Sequence, residues 1–243
     1  GEPEGAFYSH MARRLPCLVA AFLGLASRPA MLEVERKFTT PPDLLARVSA
    51  AGGRSLGSKV FKDTYFDDPG SFCLSTKDCW LRKREAVFEL KVPLRKQEER
   101  SKSGGETDEF REVTAVEDIA AELAKLGVEG LGAVESAEDL GAALVRRGLT
   151  PFAEFTTTRA KFELDGVTVD ADVASFGHAL MELEVLCDDK DQLPAARARI
   201  DEVAGRLEAA PLPERQGGKL ETFIRRYRQD MLEKLVEAGV LPE

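Results

Sequence analysis

From residue 31 onward, apolar and polar side chains alternate along short stretches bounded by Gly, Pro and Asp, the pattern of half-buried strands. In "MLEVERKFT", Leu32, Val34 and Phe38 are apolar, whereas Glu33, Glu35 and Lys37 are charged. The same reading predicts strands in "SKVFKDTYFDD", "CWLRKRE", "VFELKVP", "ETDEFREVT", "FAEFTTTRAKFEL", "VTVDADVASF" and "ALMELEVLC". Asp165-Gly166 between the sixth and seventh strands signals a tight hairpin, and Pro69-Gly70 closes the second strand. "PPDLLARVSAAGG" predicts a short helix, with Pro in its first turn and Gly beyond its end. A stretch rich in Ala, Leu, Glu and Lys predicts a helical interlude over 116–147, and further helices follow at about 190–209, 214–228 and 229–238. The polar stretch 94–105 predicts an exposed, mobile loop with no assigned role.

Eight short strands joined mostly as neighbours predict an α+β chain: an eight-stranded antiparallel β-barrel with helices packed outside. A curved open sheet or sandwich with helices on one side is the alternative. Residues 31–243 read as one domain. Residues 1–30 read as an extension in which Arg13 and Arg14 precede an apolar run and small residues, the shape of a targeting segment. Translated upstream sequence before a start at Met31 is the other reading. The apolar run is too short to span a bilayer.

Residues two apart on a strand share a face. That rule collects Glu33, Glu35 and Lys37 on strand one, Trp80, Arg82 and Arg84 on strand three, and Glu89 and Lys91 on strand four. It adds Arg159 and Lys161 on strand six, Asp170 and Asp172 on strand seven, and Glu182 and Glu184 on strand eight. Strand five offers either Glu109 with Arg111 or Phe110 with Glu112. A solvated sheet face explains any one such pair. Nearly every strand offers ionisable groups, however, with acids and bases expected in separate clusters. The opposite face keeps Leu32, Val34, Leu81, Leu90, Val92, Val169, Leu183 and Val185 for helices to cover.

Composition narrows the chemistry. Of 243 residues, 43% are hydrophobic and 32% charged, which is globular with a heavy ionic load. The net charge of −9 argues against nucleic acid as the main partner, while 34 Lys and Arg leave cations for a local anion site. Cys17, Cys73, Cys79 and Cys187 form no CxxC pair and accompany only two histidines, arguing against a structural zinc site or a disulfide framework. A reducing compartment follows, the cytoplasm, or an organelle if residues 11–30 are a targeting segment. Nothing in the sequence calls for a membrane partner or more than a monomer. A lumen crowded with unpaired charge is costly, and becomes reasonable if a polyanion and a divalent cation fill it. Carboxylates from strands one, seven and eight suit a hard cation such as Mg²⁺, with Mn²⁺ second. Arginines and lysines from strands one, three, four and six suit phosphates.

Glu33-x-Glu35-x-Lys37 resembles the ExExK signature of the CYTH superfamily, the triphosphate tunnel metalloenzymes. "WLRKRE", "FELKVP", "TTTRAKF", "VDADVASFG", "MELEVL" and "GGKLETFIRRYR" follow in that family's order. The resemblance spans residues 31 to about 228 and is strongest to the branch that hydrolyses thiamine triphosphate. It implies an eight-stranded barrel around a charged tunnel, a triphosphate as small-molecule substrate, and a divalent metal. Residue by residue, it implies metal ligation by Glu33, Glu35, Asp170, Glu182 and Glu184, with Asp172 and Glu112 as supporting acids. It implies triphosphate binding by Lys37, Arg82, Arg84, Arg159 and Lys219. Lys91 resembles the lysine that activates water, either as a base with a lowered pKa or as a fixed charge. Trp80 resembles a residue that stacks on an organic cation at the tunnel mouth, although an ordinary core or rim tryptophan fits the spacing too. Tyr65 is a weaker aromatic candidate. The rivals are an inorganic triphosphatase, a nucleotide enzyme of the same fold, a polyphosphate-binding module without turnover, and a lipocalin-like carrier, whose lumen is expected to be apolar.

Overall fold

The computed structural model describes residues 31–94, 107–213 and 216–243. The extension 1–30, and the predicted loop beyond Leu94, lie outside the described residues. The alternating stretches become β1 (Met31–Thr39), β2 (Arg54–Asp67), β3 (Trp80–Arg84), β4 (Val87–Pro93), β5 (Asp108–Val113), β6 (Thr150–Leu164), β7 (Val167–Ala174) and β8 (Ala179–Cys187). Their spatial order is β5-β4-β3-β2-β6-β7-β8-β1, and β1 pairs back onto β5 with Glu33 opposite Phe110. The ring of antiparallel strands therefore closes, and the open-sheet alternative falls. A two-residue strand, β9 (Ala210–Pro211), clips onto β1 at Phe38 and Thr39. Asp165 and Gly166 both have positive φ (50° and 75°), the conformation that a two-residue type I′ hairpin demands between β6 and β7.

The helices are α1 (Leu44–Ala50), α2 (Val116–Lys125), α3 (Ala137–Arg146), α4 (Leu193–Arg206), α5 (Lys219–Tyr227) and α6 (Gln229–Glu237). The single helical interlude read from the sequence is thus two helices, divided by a connection in which Gly127, Gly130 and Gly132 take positive φ. Helix α3 starts with a Ser136 cap, whose hydroxyl accepts from the Asp139 amide.

Because side chains alternate, most strands send their apolar set outward, whereas β2 turns Phe61 and Tyr65, and β5 turns Phe110, inward. Val34, Val169 and Leu183 pack under Val48 of α1 and Ile200 and Val203 of α4. Leu81, Phe88 and Leu90 pack under Ile119, Leu123 and Leu144 of α2 and α3. Each such side chain contributes about 1.5–3 kcal/mol by leaving water. Helices α5 and α6 sit at one end of the barrel. There Leu220 and Phe223 join Tyr65, Phe155 and Phe176, while Ile224, Met231 and Leu235 join Phe72 and Trp80. With the greasy face spent on the helices, the other face of each strand is turned inward.

Candidate functional site: a charged tunnel

The barrel encloses a cavity of about 720 Å³. Its walls carry most of the charged i, i+2 sets: Glu33, Glu35 and Lys37; Trp80, Arg82 and Arg84; Glu89 and Lys91; Arg159 and Lys161; Glu182 and Glu184. The alternatives on β5 resolve as Phe110 with Glu112 inward. Glu109 is bonded by Arg197 of α4, and Arg111 lies 2.9 Å from Glu122 of α2, both outside the barrel. Lys219, at the start of α5, reaches the lumen from the end of the barrel. Asp170 and Asp172 do not line the cavity; they are buried beneath Arg159.

Acids and bases were expected in separate clusters, and here the structure differs. Arg159 donates to Asp170, to both oxygens of Asp172 (2.7 and 2.6 Å) and to Glu182 (2.8 Å). Lys219 bridges Asp172 (2.5 Å) and Glu182 (2.7 Å). Lys37 donates to Glu35 at 2.7 Å and to Asp108 at 2.5 Å. Lys91 bonds Glu33 and lies 3.6 Å from Glu35 and 3.5 Å from Glu112. Arg82 forks onto Glu89 (3.0 and 2.7 Å), and Arg84 onto Asp63 (2.7 and 2.9 Å). The reason is electrostatic: like charges gathered in a buried lumen repel strongly, so each of these cations lies against a carboxylate.

The ionisation of the lumen follows from this interleaving. Burial pushes Glu35 and Glu182 upward, yet their cations overcome it and hold both at about 2. Burial raises Glu33, Glu184 and Glu112, and for these the neighbouring cations do not compensate; Glu112 reaches about 7. Burial lowers Lys91, but Glu33 and Glu35 outweigh it and hold the ammonium well above its ordinary value. Among the described residues no three acidic, His or Cys side chains stand together as a ready metal cage. Cations lie among the acids instead. One carboxylate oxygen, Oδ1 of Asp170, is buried without a hydrogen-bond partner.

The segment entering α5 explains the "GGK" stretch. A Cβ on Gly218 would sit 2.9 Å from Cε of Lys37, so any larger residue there displaces the end of that side chain. His178, buried at the β7–β8 turn, is 3.1 Å from the Gly217 carbonyl through Nε2 and 3.3 Å from the Gln216 amide through Nδ1. Burial lowers its pKa, which favours the neutral ring.

One stretch of the cavity wall is less ionic. Trp80 is half-buried, its indole N–H donates to Asp78 at 2.9 Å, and it lines the cavity with Tyr65, Leu220 and Leu241. Sequence reasoning missed Asp78, Asp108, Asp63 and Lys59. Asp108 lies two residues before Phe110 and was available by the same face rule. Asp63 and Lys59 lie on β2, whose inward face also carries Phe61 and Tyr65 and so resembles a core-facing set. On the outer face there, Leu56 and Val60 are exposed among the described residues.

A closed antiparallel barrel with an ionised lumen and a partly apolar mouth defines a tunnel protein rather than an apolar-ligand carrier. The CYTH domain family model matches residues 31–211, and the chain belongs to that family. It is 34% identical over 222 residues to the thiamine-triphosphatase of Macaca fascicularis and, to the same extent, to that of Homo sapiens. Each match covers 86% of this chain and 91% of the relative. Among solved structures, the PH1819 protein of Pyrococcus horikoshii OT3 shares the fold with a TM-score of 0.55 at 19% identity, covering 80% of this chain and 99% of that one. The PH1012 protein of the same organism superposes with a TM-score of 0.50 at 20% identity, covering 75% and 92%.

Proposed function

We propose that the protein hydrolyses thiamine triphosphate to thiamine diphosphate and phosphate inside this tunnel. The observation that carries the reading is the join between an ionised lumen and an aromatic mouth around Trp80. The 34% identity to two thiamine-triphosphatases supports it. A triphosphate needs cations along its whole length, and Lys37, Arg82, Arg84, Lys91, Arg159 and Lys219 offer them from β1, β3, β4, β6 and α5. The thiazolium ring carries positive charge, for which tryptophan is the best aromatic partner. The hydrogen bond to Asp78 fixes the Trp80 plane.

The lumen's donors fit a hard divalent cation such as Mg²⁺. They are carboxylate oxygens, and beneath Arg159, behind the lumen wall, Asp170 keeps Oδ1 without a hydrogen-bond partner. Glu33, Glu35, Asp170, Glu182 and Glu184 would hold the ion, with Asp172 and Glu112 as flanking acids. When bound, the cation supplies charge stabilisation on the phosphoryl oxygens. The chain's own residues do the rest. Arginines and lysines leave their carboxylates for phosphate oxygens, which frees those carboxylates at the moment a cation is needed. Lys91, held protonated between Glu33 and Glu35, presents positive charge to the transferring group. Attack by water on the terminal phosphorus forms one P–O bond and breaks the bond to the bridging oxygen, which leaves on thiamine diphosphate, while the proton of the water passes to an oxygen of the departing phosphate and on to solvent.

Phosphate release by the full chain tests this, with thiamine triphosphate, inorganic triphosphate and ATP offered side by side at millimolar Mg²⁺. Preference for thiamine triphosphate is expected. Preference for inorganic triphosphate retains the tunnel and discards the Trp80 clamp. Binding without release from any of the three makes the protein a polyphosphate-binding module.

The described cysteines Cys73, Cys79 and Cys187 are free thiols, in keeping with a reducing compartment such as the cytoplasm. Among the described residues no helix is long and apolar enough to cross a membrane.

A further inference from the structure

Every lysine and arginine lining the tunnel has a carboxylate within 4 Å among the described residues, except Lys59. Its position makes that exception informative. Lys59 on β2 lies directly across from Arg159 on β6, and Lys161 is the next residue on the same face. Like charges placed opposite each other on paired strands destabilise a sheet. Three cations also gather around one inward ring. Arg84 lies 4.1 Å from the Phe61 centroid, Lys59 5.1 Å and Arg159 5.4 Å. Arg84 and Arg159 are neutralised by Asp63 and by the Asp170, Asp172 and Glu182 group, and Lys161 is 3.5 Å from Asp170. No acid is supplied for Lys59, although β2 has Asp63 only four residues on. Desolvation of the part of Lys59 that faces the tunnel, followed by the field of Arg159, Arg84 and Lys161, lowers its pKa, although the residue as a whole is exposed.

The tunnel is also polarised along β2. Tyr65, beside Trp80 in the aromatic mouth, is six residues from Lys59, roughly 20 Å of extended strand. One stretch of the cavity is therefore aromatic, and the other carries an excess cation. A triphosphate ester whose organic group rests on Trp80 directs its phosphate chain towards Lys59.

We propose that Lys59 is a phosphate-binding residue that takes up the phosphate once it is released on hydrolysis, at the end of the tunnel away from Trp80, whereas Lys91, paired across from Trp80, acts on that group before it leaves. This deepens the triphosphatase reading and rests on it for the identity of the substrate. Its test does not need turnover. Inorganic triphosphate is titrated calorimetrically into the full chain in EDTA, and into Lys59→Gln, Lys59→Arg and Lys62→Gln. Lys62 is the control: like Lys59 it is an exposed lysine of β2, but it does not line the tunnel and is held by Glu154 at 2.9 Å.

Lys59→Gln is expected to bind about five- to tenfold more weakly, the value of one charge-assisted contact at a partly open site. Lys59→Arg is expected to restore binding and Lys62→Gln to leave it unchanged. Orthophosphate inhibition of phosphate release should weaken in Lys59→Gln in the same ratio. Equal affinity of Lys59→Gln and the unaltered chain overturns the proposal, as does equal loss in Lys62→Gln, which would mark a general charge effect. Intact, Lys59-dependent binding with no phosphate release would leave this site standing and remove the hydrolase reading instead.

Discussion

At the scale of single residues, two side chains carry the chemistry that distinguishes this tunnel from a generic anion site. Trp80 has its N–H occupied by Asp78 and its ring beside the cavity, so truncation removes stacking without touching the phosphate cations. Trp80→Ala is expected to raise KM for thiamine triphosphate about tenfold or more while sparing inorganic triphosphate, because a desolvated cation–π contact is worth about 2 kcal/mol. Steady-state kinetics on both substrates checks this. Lys91 is the second. Surrounded by Glu33, Glu35 and Glu112, it is held well above its ordinary pKa, which supports the proposed role of a fixed charge over that of a base. Lys91→Arg preserves that charge and should retain kcat within about tenfold, whereas Lys91→Ala should lose on the order of 10²–10³, the cost of one electrostatic donor. Comparable losses in the two variants would return a proton-transfer role to Lys91.

At the scale of elements, the segment before α5 matters as much as the strands. Gly218 crosses Lys37 so closely that a methyl group would displace the Lys37 stem, and His178 ties the adjoining Gln216–Gly217 backbone to the β7–β8 turn. Lys219 follows directly and reaches Asp172 and Glu182. Gly218→Ala is therefore expected to raise KM several-fold by moving Lys37 and Lys219 together, with little change in Tm, since the site is at the mouth and φ of Gly218 is −61°, open to any residue. A Tm loss as large as that of a core substitution, about 2–5 kcal/mol in stability, would show instead that the crossing holds the fold.

At the scale of the whole molecule, the tunnel makes stability depend on pH with opposing signs. Glu35 and Glu182 fall from an ordinary 4.5 to about 2, so their stabilisation is present above 4.5 and is lost as pH falls towards 2. Glu112 runs the other way. It is raised to about 7, so the folded state binds its proton more tightly than the unfolded chain does, and stability declines as pH rises from 4.5 through 7. Tm should therefore peak in mildly acidic buffer in the absence of ligand. Glu112→Gln should raise Tm relative to the unaltered chain at pH 8 and not at pH 4.5. Ligand acts on the same balance: Mg²⁺ with inorganic triphosphate should raise Tm, because both bind only the closed barrel. An unchanged pH profile in Glu112→Gln would place the alkaline decline elsewhere.

The sequence by itself determined what strict alternation can determine. Period-two patterning assigned the inward sets of β1, β3, β4, β6, β7 and β8, because a strand offers a side chain only two directions. The resemblance added the roles, and the order of motifs added the fold. Three things awaited the tertiary structure. On β5 both faces carry charges, so alternation left the inward face open; the resemblance favoured Phe110 with Glu112, and the pairing of β1 with β5 turns that face inward. On β2 the inward set includes Phe61 and Tyr65 while Leu56 and Val60 on the outer face are exposed among the described residues, so Asp63 and Lys59 were invisible to a rule that sends apolar residues outward. The pairing of each cation with its acid was likewise beyond the sequence. It depends on which strands meet across the lumen, and buried charges settle against whichever opposite charge the barrel's closure brings within reach.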